Sequence, residues 1–440
     1  MIMDDAEKFH TIETELQDLA SPGIRPGLAR LSHLLLLLGN PERKFRAVHI
    51  VGTNGKGSTA ATLASILRES GCRTALYTSP HLVSFGERLL MGGEEVPPQK
   101  WEEVLSAIRN VMDRSERLKA DPPTYFELIT AAAFMIIADA GVDIAVVEAG
   151  LGGRLDATNI LSDVILTLIT PIGIDHSEYL GNTLASVAKE KFAVMRPCVP
   201  AIFSGGDEEI EAIFFDTAFK KKTPAQVLRR LCSYGTVGVS LSGTDFYVES
   251  ECLCADCHTP LIGTHQTENA ALALAAACAL KTSSHKVFEN ITFQALYNGV
   301  VSVRWPGRFE IIRKDPPLLI VDGAHNPHAL KRLAENTGII YGKRSFNIVL
   351  AMMKDKDISE SLDIVGETGA KLFCTEVPGM ERSLSAAALL AMAEKKGIVC
   401  AGKWSSPTEA IRESLVSGSD TICCGSLFLS GYVKEHCHEI

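Results

Sequence analysis

Short β-branched runs, longer stretches with apolar residues at helical spacing, and glycine-rich turns alternate along this chain. Residues 48–51, 74–77, 142–148 and 164–169 are continuous apolar runs of strand length, the pattern of strands covered on both faces. Residues 27–38, 59–67, 101–118, 125–140, 183–194 and 269–280 repeat apolar positions three and four apart and predict helices. The helix over 27–38 is stopped by Gly39-Asn40-Pro41, and the one over 125–140 is apolar nearly all round and so buried. Residues 79–98 show no clear period and predict a long functional loop. From 210 to 262 the pattern weakens and turns strand-like, with 236–248 alternating as a hairpin does. Gly299, Trp305, Pro306 and Gly307 then interrupt regular structure, after which 318–321, 347–351, 371–375 and 421–424 read as strands with helices between. The expectation is an α/β protein of two domains, 1–298 and 299–440.

Composition narrows the class of function. A 46% hydrophobic and 22% charged chain can bury a sizeable core, and a formal net charge of -10 argues against general nucleic-acid affinity. No apolar run reaches membrane length, and residues 1–19 are acidic and polar, unlike a signal or transit peptide. A cytoplasmic monomer with neither nucleic-acid nor membrane partners is expected. The twelve cysteines are scattered and expected to be reduced. Cys252, Cys254, Cys257 and His258 form the one cluster where a metal could be argued, but no second pair follows at zinc-ribbon spacing, which favours incidental thiols on a hairpin.

The chemistry concentrates where strands end. The run 48–51 passes into Gly52-Thr53-Asn54-Gly55-Lys56-Gly57-Ser58 and then into a helix, the context of a phosphate cradle. Glycines let backbone N–H groups approach an anion, and Lys56 can neutralise oxygens that carry charge during transfer. The spacing departs from the generic P-loop: two residues separate Gly52 from Gly55, and Gly57 stands where a metal-binding hydroxyl would follow the lysine. Ser58 is therefore the candidate Mg²⁺ ligand, and a plain helix-capping glycine turn is the structural alternative. Glu148 closes the run 142–148, and Asp175-His176 follows the run 164–169. Taken singly, Glu148 reads as a capping acid and Asp175 as a turn former.

Taken together, the order is Gly52 to Ser58, Ser79-Pro80-His81, Glu148 with Gly150-Leu151-Gly152-Gly153-Arg154-Leu155-Asp156-Ala157-Thr158-Asn159, then Asp175-His176. It continues through Glu190-Lys191, His265-Gln266 with Asn269, Pro306-Gly307-Arg308, Asp322-Gly323-Ala324-His325-Asn326-Pro327, Lys354-Asp355-Lys356 and Gly425-Ser426. This set resembles the Mur ligase superfamily, and more closely folylpolyglutamate synthase and the bifunctional dihydrofolate synthase, over nearly the whole chain. The resemblance implies a large P-loop-containing Mur-ligase-type central domain and a smaller Rossmann-like C-terminal α/β domain. It implies that ATP phosphorylates a carboxylate and an amine displaces phosphate, joining L-glutamate to a folate, or to dihydropteroate.

By the same resemblance, Lys56, His176 and Lys191 are the catalytic residues. Thr53, Asn54, Gly55, Lys56, Gly57, Ser58, Asn269, Arg308, Asp322 and His325 would contact ATP, a helix cap being the less favoured reading of His325. Ser58, Ser79 and Glu148 would bind one Mg²⁺, and Glu148, His176 and a carbamylated Lys191 a second; a monovalent cation is also implied. The carbamate matters because an unmodified ammonium has no lone pair for a cation. Around it the chain reads Glu190-Lys191-Phe192-Ala193-Val194, where the family more often has alanine and glycine after the lysine. Leu82, Phe85, Tyr125 and Phe126 offer flat apolar surface to a pterin, with Arg88 and Arg154 for its carboxylates, though Tyr125 and Phe126 read equally well as core. The competing expectations are a Mur-type cell-wall precursor ligase, against which Gly57 counts, and a nucleotide-binding regulator without catalysis.

Overall fold

The computed structural model describes residues 5–250 and 253–440, so Cys252 of the thiol cluster lies outside the described residues. Of the described residues, one compact unit falls within Met1–Tyr234, Tyr247–Cys257 and Glu268–Val303, and a second within Gly235–Phe246, His258–Thr267 and Arg304–Ile440.

The first unit is built on an eight-stranded sheet in the order Glu94–Glu95, Leu89–Met91, Thr74–Tyr77, Ile144–Glu148, Ala47–Val51, Val164–Ile169, Ala201–Phe203, Ala225–Val227. Its six strands from Thr74–Tyr77 onward run parallel, and the two at the other edge are antiparallel. The central strands are buried along their whole length, as their largely apolar sequences require, with His49 and the strand-end Glu148 as the polar exceptions. Register sets up everything that follows. Ile50 lies opposite Glu148, Val51 opposite Ile169, and Tyr77 opposite Val147, so four chains leave the sheet side by side at its carboxyl edge. That edge is where parallel sheets bind ligands.

Helices cover the sheet for legible reasons. Thr124 and Glu127 form a reciprocal capping box that starts Tyr125–Ala140, and Gly141 ends it in the left-handed region. Helix Phe293–Val301 packs against Lys56–Glu69, with Gly299 resting on Ile66 where any side chain would overlap it.

The second unit has a six-stranded sheet in the order Glu310–Arg313, Leu319–Val321, Thr421–Cys424, Asn347–Leu350, Lys371–Cys374, Cys400–Lys403, parallel except for the first strand. Between the main bodies of the two units in sequence, Cys232–Ser240, Gly243–Ser250 and Cys254–Thr259 form a three-stranded sheet. The architecture is thus the mixed α/β one expected, with a larger and a smaller sheet unit.

Two expectations need correction. The stretch 79–98 is not a featureless loop: it holds a 3-10 turn, Phe85–Arg88, and the strand pair Leu89–Met91 and Glu94–Glu95. Residues 208–221 are a helix, not part of a strand-like region. Asp207 caps it, acids fill its first turn, lysines its last, and Ile210, Phe214 and Ala218 recur every fourth residue on its buried face. Short apolar runs on either side, which do form strands, masked that period. Among the described residues, no helix is long and apolar enough to cross a membrane.

Candidate active site

In the first unit the glycine loop lies between strand Ala47–Val51 and helix Lys56–Glu69. Gly55 adopts a φ of 86°, and the Asn269 carboxamide occupies the space a side chain there would need, which binds the loop to the helix Thr264–Lys281. Lys56 folds back over the loop, donating to the Thr53 carbonyl at 3.0 Å, with its ammonium 3.9 Å from Glu148 Oε1. The other Glu148 oxygen accepts the Ser79 backbone N–H at 3.3 Å. Thr53 Oγ1 donates to the Gly173 carbonyl at 2.8 Å and accepts the Gly173 N–H at 2.9 Å, which ties the glycine loop to the turn carrying Asp175 and His176. Ser58 is buried in the first turn of the loop helix.

Lys191 reaches the same place from helix Leu184–Phe192, where its buried Nζ donates to the Gly52 carbonyl at 2.5 Å. Burial first and the charge of Lys56 second pull its ammonium down to about 7, against opposing pulls from Asp175 and Asp156. Phe192, the residue that departs from the family pattern, points away into a core of Phe203 and Phe214 and leaves the lysine clear. His176 has a left-handed backbone with φ of 51°, and its half-exposed ring stands 3.9 Å from Asp175 Oδ2. Loop, Glu148, Ser79 and Lys191 therefore converge through direct contacts, and His176 joins them through Asp175.

The residues expected to meet a pterin are divided. Arg88 is buried, donates from Nε to His81 Nδ1 at 2.8 Å, and lies 5.7 Å from the Tyr125 ring centre. Tyr125 donates its hydroxyl to Glu13 at 2.6 Å. Phe126 covers Gly150 and stacks on Tyr77 with ring centres 6.4 Å apart. Phe85 is fully inside the core against Trp101, so it supports this wall from behind, while Leu82 sits in the turn held by Glu87. Arg154 is not with them: it pairs with Glu190 at 3.0 Å.

In the second unit, Asp322 ends strand Leu319–Val321 and is held by the N–H groups of Ala324 and Phe309, both at 2.8 Å. Burial pushes its carboxyl upward, opposed chiefly by Arg308. His325 Nδ1 lies 2.8 Å from the Gly323 carbonyl, and Asn326, not His325, caps the following helix. Among the described residues, no group of three or more His, Cys, Asp or Glu side chains is placed to hold a metal; His258 of the thiol cluster contacts Asp245 at 2.8 Å.

Sequence reading named no role for His49, Asp156, Thr158 or Arg196. All four meet behind the glycine turn that follows Glu148. The available signal was a histidine in an otherwise aliphatic run, a buried polar group that has to find partners.

The chain matches the Mur ligase middle domain over residues 50–277 and the Mur ligase glutamate ligase domain over residues 307–426. It is 36% identical to the dihydrofolate synthase/folylpolyglutamate synthase of Bacillus subtilis, over 76% of this chain and 77% of that protein. It is 33% identical to the probable dihydrofolate synthetase of Schizosaccharomyces pombe, over 93% and 97%. Among solved structures, folylpolyglutamate synthase from Thermotoga maritima superposes with a TM-score of 0.82 at 31% identity, covering 97% of each chain. The E. coli FolC structure in complex with DHPP and ADP gives 0.84 at 28% identity, over 100% of this chain and 99% of that one.

Proposed function

Because the chain belongs to the Mur ligase family, in its folylpolyglutamate synthase/dihydrofolate synthase branch, we propose a residue-level account of how it works. It is an ATP-dependent carboxylate–amine ligase that joins L-glutamate to folates. A carboxylate is a poor electrophile until one oxygen can leave as phosphate, so the enzyme must bring two anions together. The glycine loop from Thr53 to Ser58, with Asn269 against it, holds the ATP phosphates, and Lys56 sits over the oxygen that moves with the transferred group. Taken by itself, the second unit's set of Arg308, Asp322 and His325 suits nucleotide recognition, the guanidinium for phosphate and the carboxylate for a hydroxyl or ring N–H.

Hard oxygen donors suit Mg²⁺, and the convergence of Glu148 with Lys56 and Ser79 supports a site made by Ser58, Ser79 and Glu148 and completed by phosphate oxygens. Mg²⁺ held there would neutralise charge developing on those oxygens. A second site would use Glu148, His176 and the carbamate of Lys191. What supports the carbamate is the amine itself: buried and held near 7, it is neutral and nucleophilic toward CO₂ at a pH where an ordinary lysine is not. Arg88, Tyr125 and Phe126, with Leu82 beside them and Phe85 behind, would receive the pterin. Arg154 reaches a substrate carboxylate only by leaving Glu190. The reading includes dihydropteroate as a second acceptor, a monovalent cation, and a cytoplasmic monomer.

The observation that carries the account is the convergence of loop lysine, strand-end glutamate and buried lysine at one sheet edge. Phosphate release measured with folate and glutamate omitted in turn tests it. Release should require both; release that never needs a folate would refute the acceptor, and equal turnover on a nucleotide-sugar peptide would move the chain to the cell-wall ligases.

A further inference from the structure

Behind the turn that follows Glu148 runs a chain of four polar side chains, three of them buried and the fourth, Arg196, half-buried. Arg196, just past the Lys191 helix, places Nη1 3.5 Å from His49 Nδ1 while also donating to the Val194 carbonyl at 2.9 Å and the Asn159 side chain at 3.0 Å. His49, fully buried in the central strand, places Nε2 2.8 Å from Thr158 Oγ1. Thr158 Oγ1 lies 2.5 Å from Asp156 Oδ1, which also takes the Thr158 backbone N–H at 2.9 Å. The second Asp156 oxygen accepts the N–H of Leu151 at 2.6 Å, and the Gly150 N–H also bonds this carboxylate.

The chemistry of the donors gives this chain one direction. A guanidinium can only donate, so His49 Nδ1 must accept and the ring's single proton sits on Nε2. Nε2–H then donates to Thr158, whose one hydroxyl proton is left for Asp156. Asp156 is therefore the end acceptor, a carboxylate whose buried charge is balanced by Arg196 through two neutral groups. Its free edge fixes the two amides that begin Gly150-Leu151-Gly152-Gly153, one residue after Ala149 and two after Glu148.

We propose that His49 and Thr158 are positioning residues: they lock Asp156 onto the Gly150–Leu151 turn and thereby aim the Glu148 carboxylate at Lys56 and Ser79. The inference rests on the reading of Glu148 as a metal-site residue, but the turn itself can be followed without turnover. Thr158 variants separate hydroxyl from volume. Thr158→Val keeps the methyl and loses the donor; Thr158→Ser does the reverse; Thr158→Ala loses both.

The expected result is a roughly tenfold fall in kcat for Thr158→Val and Thr158→Ala, about the loss of one transition-state-directed hydrogen bond, with KM for ATP and folate within about twofold and Thr158→Ser close to wild type. Amide exchange at Gly150 and Leu151 should quicken about tenfold in the same two variants and not in Thr158→Ser, while helix Tyr125–Ala140 is unchanged. His49→Gln, which can still donate to Thr158, should keep most of the activity, and adding it to Thr158→Val should cost nothing further, since the two act in one chain. Wild-type kcat in Thr158→Val, or equal losses in Thr158→Ser and Thr158→Ala, would overturn the proposal. So would failure of both hydroxyl-less variants to fold while Thr158→Ser folds, because the hydroxyl would then serve stability alone. Where kcat is unaltered, amide exchange says which half has failed: quickened exchange places the fault in the reading of Glu148, since the turn is loosened without effect on rate, and unquickened exchange places it in the lock itself, which separates the two readings.

Discussion

The two sheets end in opposite electrostatics. At the carboxyl edge of the large sheet, Lys56 approaches a strand-end glutamate, and Lys191 is buried against the glycine loop with its ammonium pulled down to about 7. At the edge of the small sheet, a half-buried aspartate has both oxygens taken by backbone N–H groups, and an arginine lies near it. Both are strand ends of parallel sheets, so the architecture alone does not distinguish them. The first holds cations that can change partner or protonation state, which suits moving a charged group. The second holds a carboxylate whose orientation is fixed by the main chain, which suits recognition. Mutating each in turn should therefore separate rate from affinity.

The largest effect should come from Lys56→Ala. Removing the cation over the transferred group should cost about 10³-fold in kcat, the scale seen for losing one electrostatic stabiliser of a transition state. Because Lys56 also neighbours Glu148, leaving that buried carboxylate with one contact fewer, a thermal melt should accompany the kinetics. Near-normal kcat in a folded Lys56→Ala protein would end the argument that this edge performs the transfer.

Next comes the titration of Lys191. A carbamate forms only from the neutral amine, and the usual lysine value of 10.5 is lowered here to about 7, so the neutral fraction grows as pH rises through 7. In CO₂-depleted buffer the activity should fall roughly tenfold or more and return with bicarbonate, and the bicarbonate-restored rate should climb across that same pH window. Mass spectrometry of the native protein should show the added mass of one CO₂, lost in Lys191→Arg. Activity indifferent to bicarbonate at every pH would leave Lys191 as a structural donor to Gly52.

How much of this was legible in the sequence depends on the range of the interactions involved. The strands 48–51, 74–77 and 164–169 and the loop–helix junction are local signals, readable from runs and glycines, and they appear where expected. The helix Glu208–Lys221 was hidden by flanking strand-formers although its own caps and charges announced it. Phe85 and Arg154 show the opposite limit. Their residue types suited a ligand, but which way each side chain turns is set by Trp101 and Glu190, partners distant in sequence. The Arg196–His49–Thr158 chain is the extreme case, since His49 lies more than a hundred residues from both of its partners and meets them only after the sheet has formed.

Asp322→Asn probes recognition at the second edge. Each carboxylate oxygen there accepts an N–H, so the amide substitution turns one acceptor into a donor facing a donor, at a cost of about 1–3 kcal/mol. The expected outcome is a lower melting temperature together with a KM for ATP raised about tenfold, kcat changing less. A fall in kcat with KM unmoved would mean that this aspartate belongs with the transfer chemistry and that the contrast between the edges is false.

The smallest effect is expected from Arg154→Ala. Arg154 stands in the glycine turn where a substrate carboxylate could be met, but its guanidinium is engaged by Glu190 at 3.0 Å with 54% of the side chain exposed. Exposed pairs of this kind are worth less than about 1 kcal/mol because water and salt screen them. The variant should therefore melt within a few degrees of wild type and keep its folate KM within about twofold. The competing outcome is informative too: a folate KM raised tenfold or more in the variant, with a wild-type folate affinity that weakens as salt is added, would require the Glu190 pair to open when substrate arrives. Glu190→Gln then decides between them, since freeing Arg154 should tighten folate binding only if the guanidinium is what the substrate's carboxylate is waiting for.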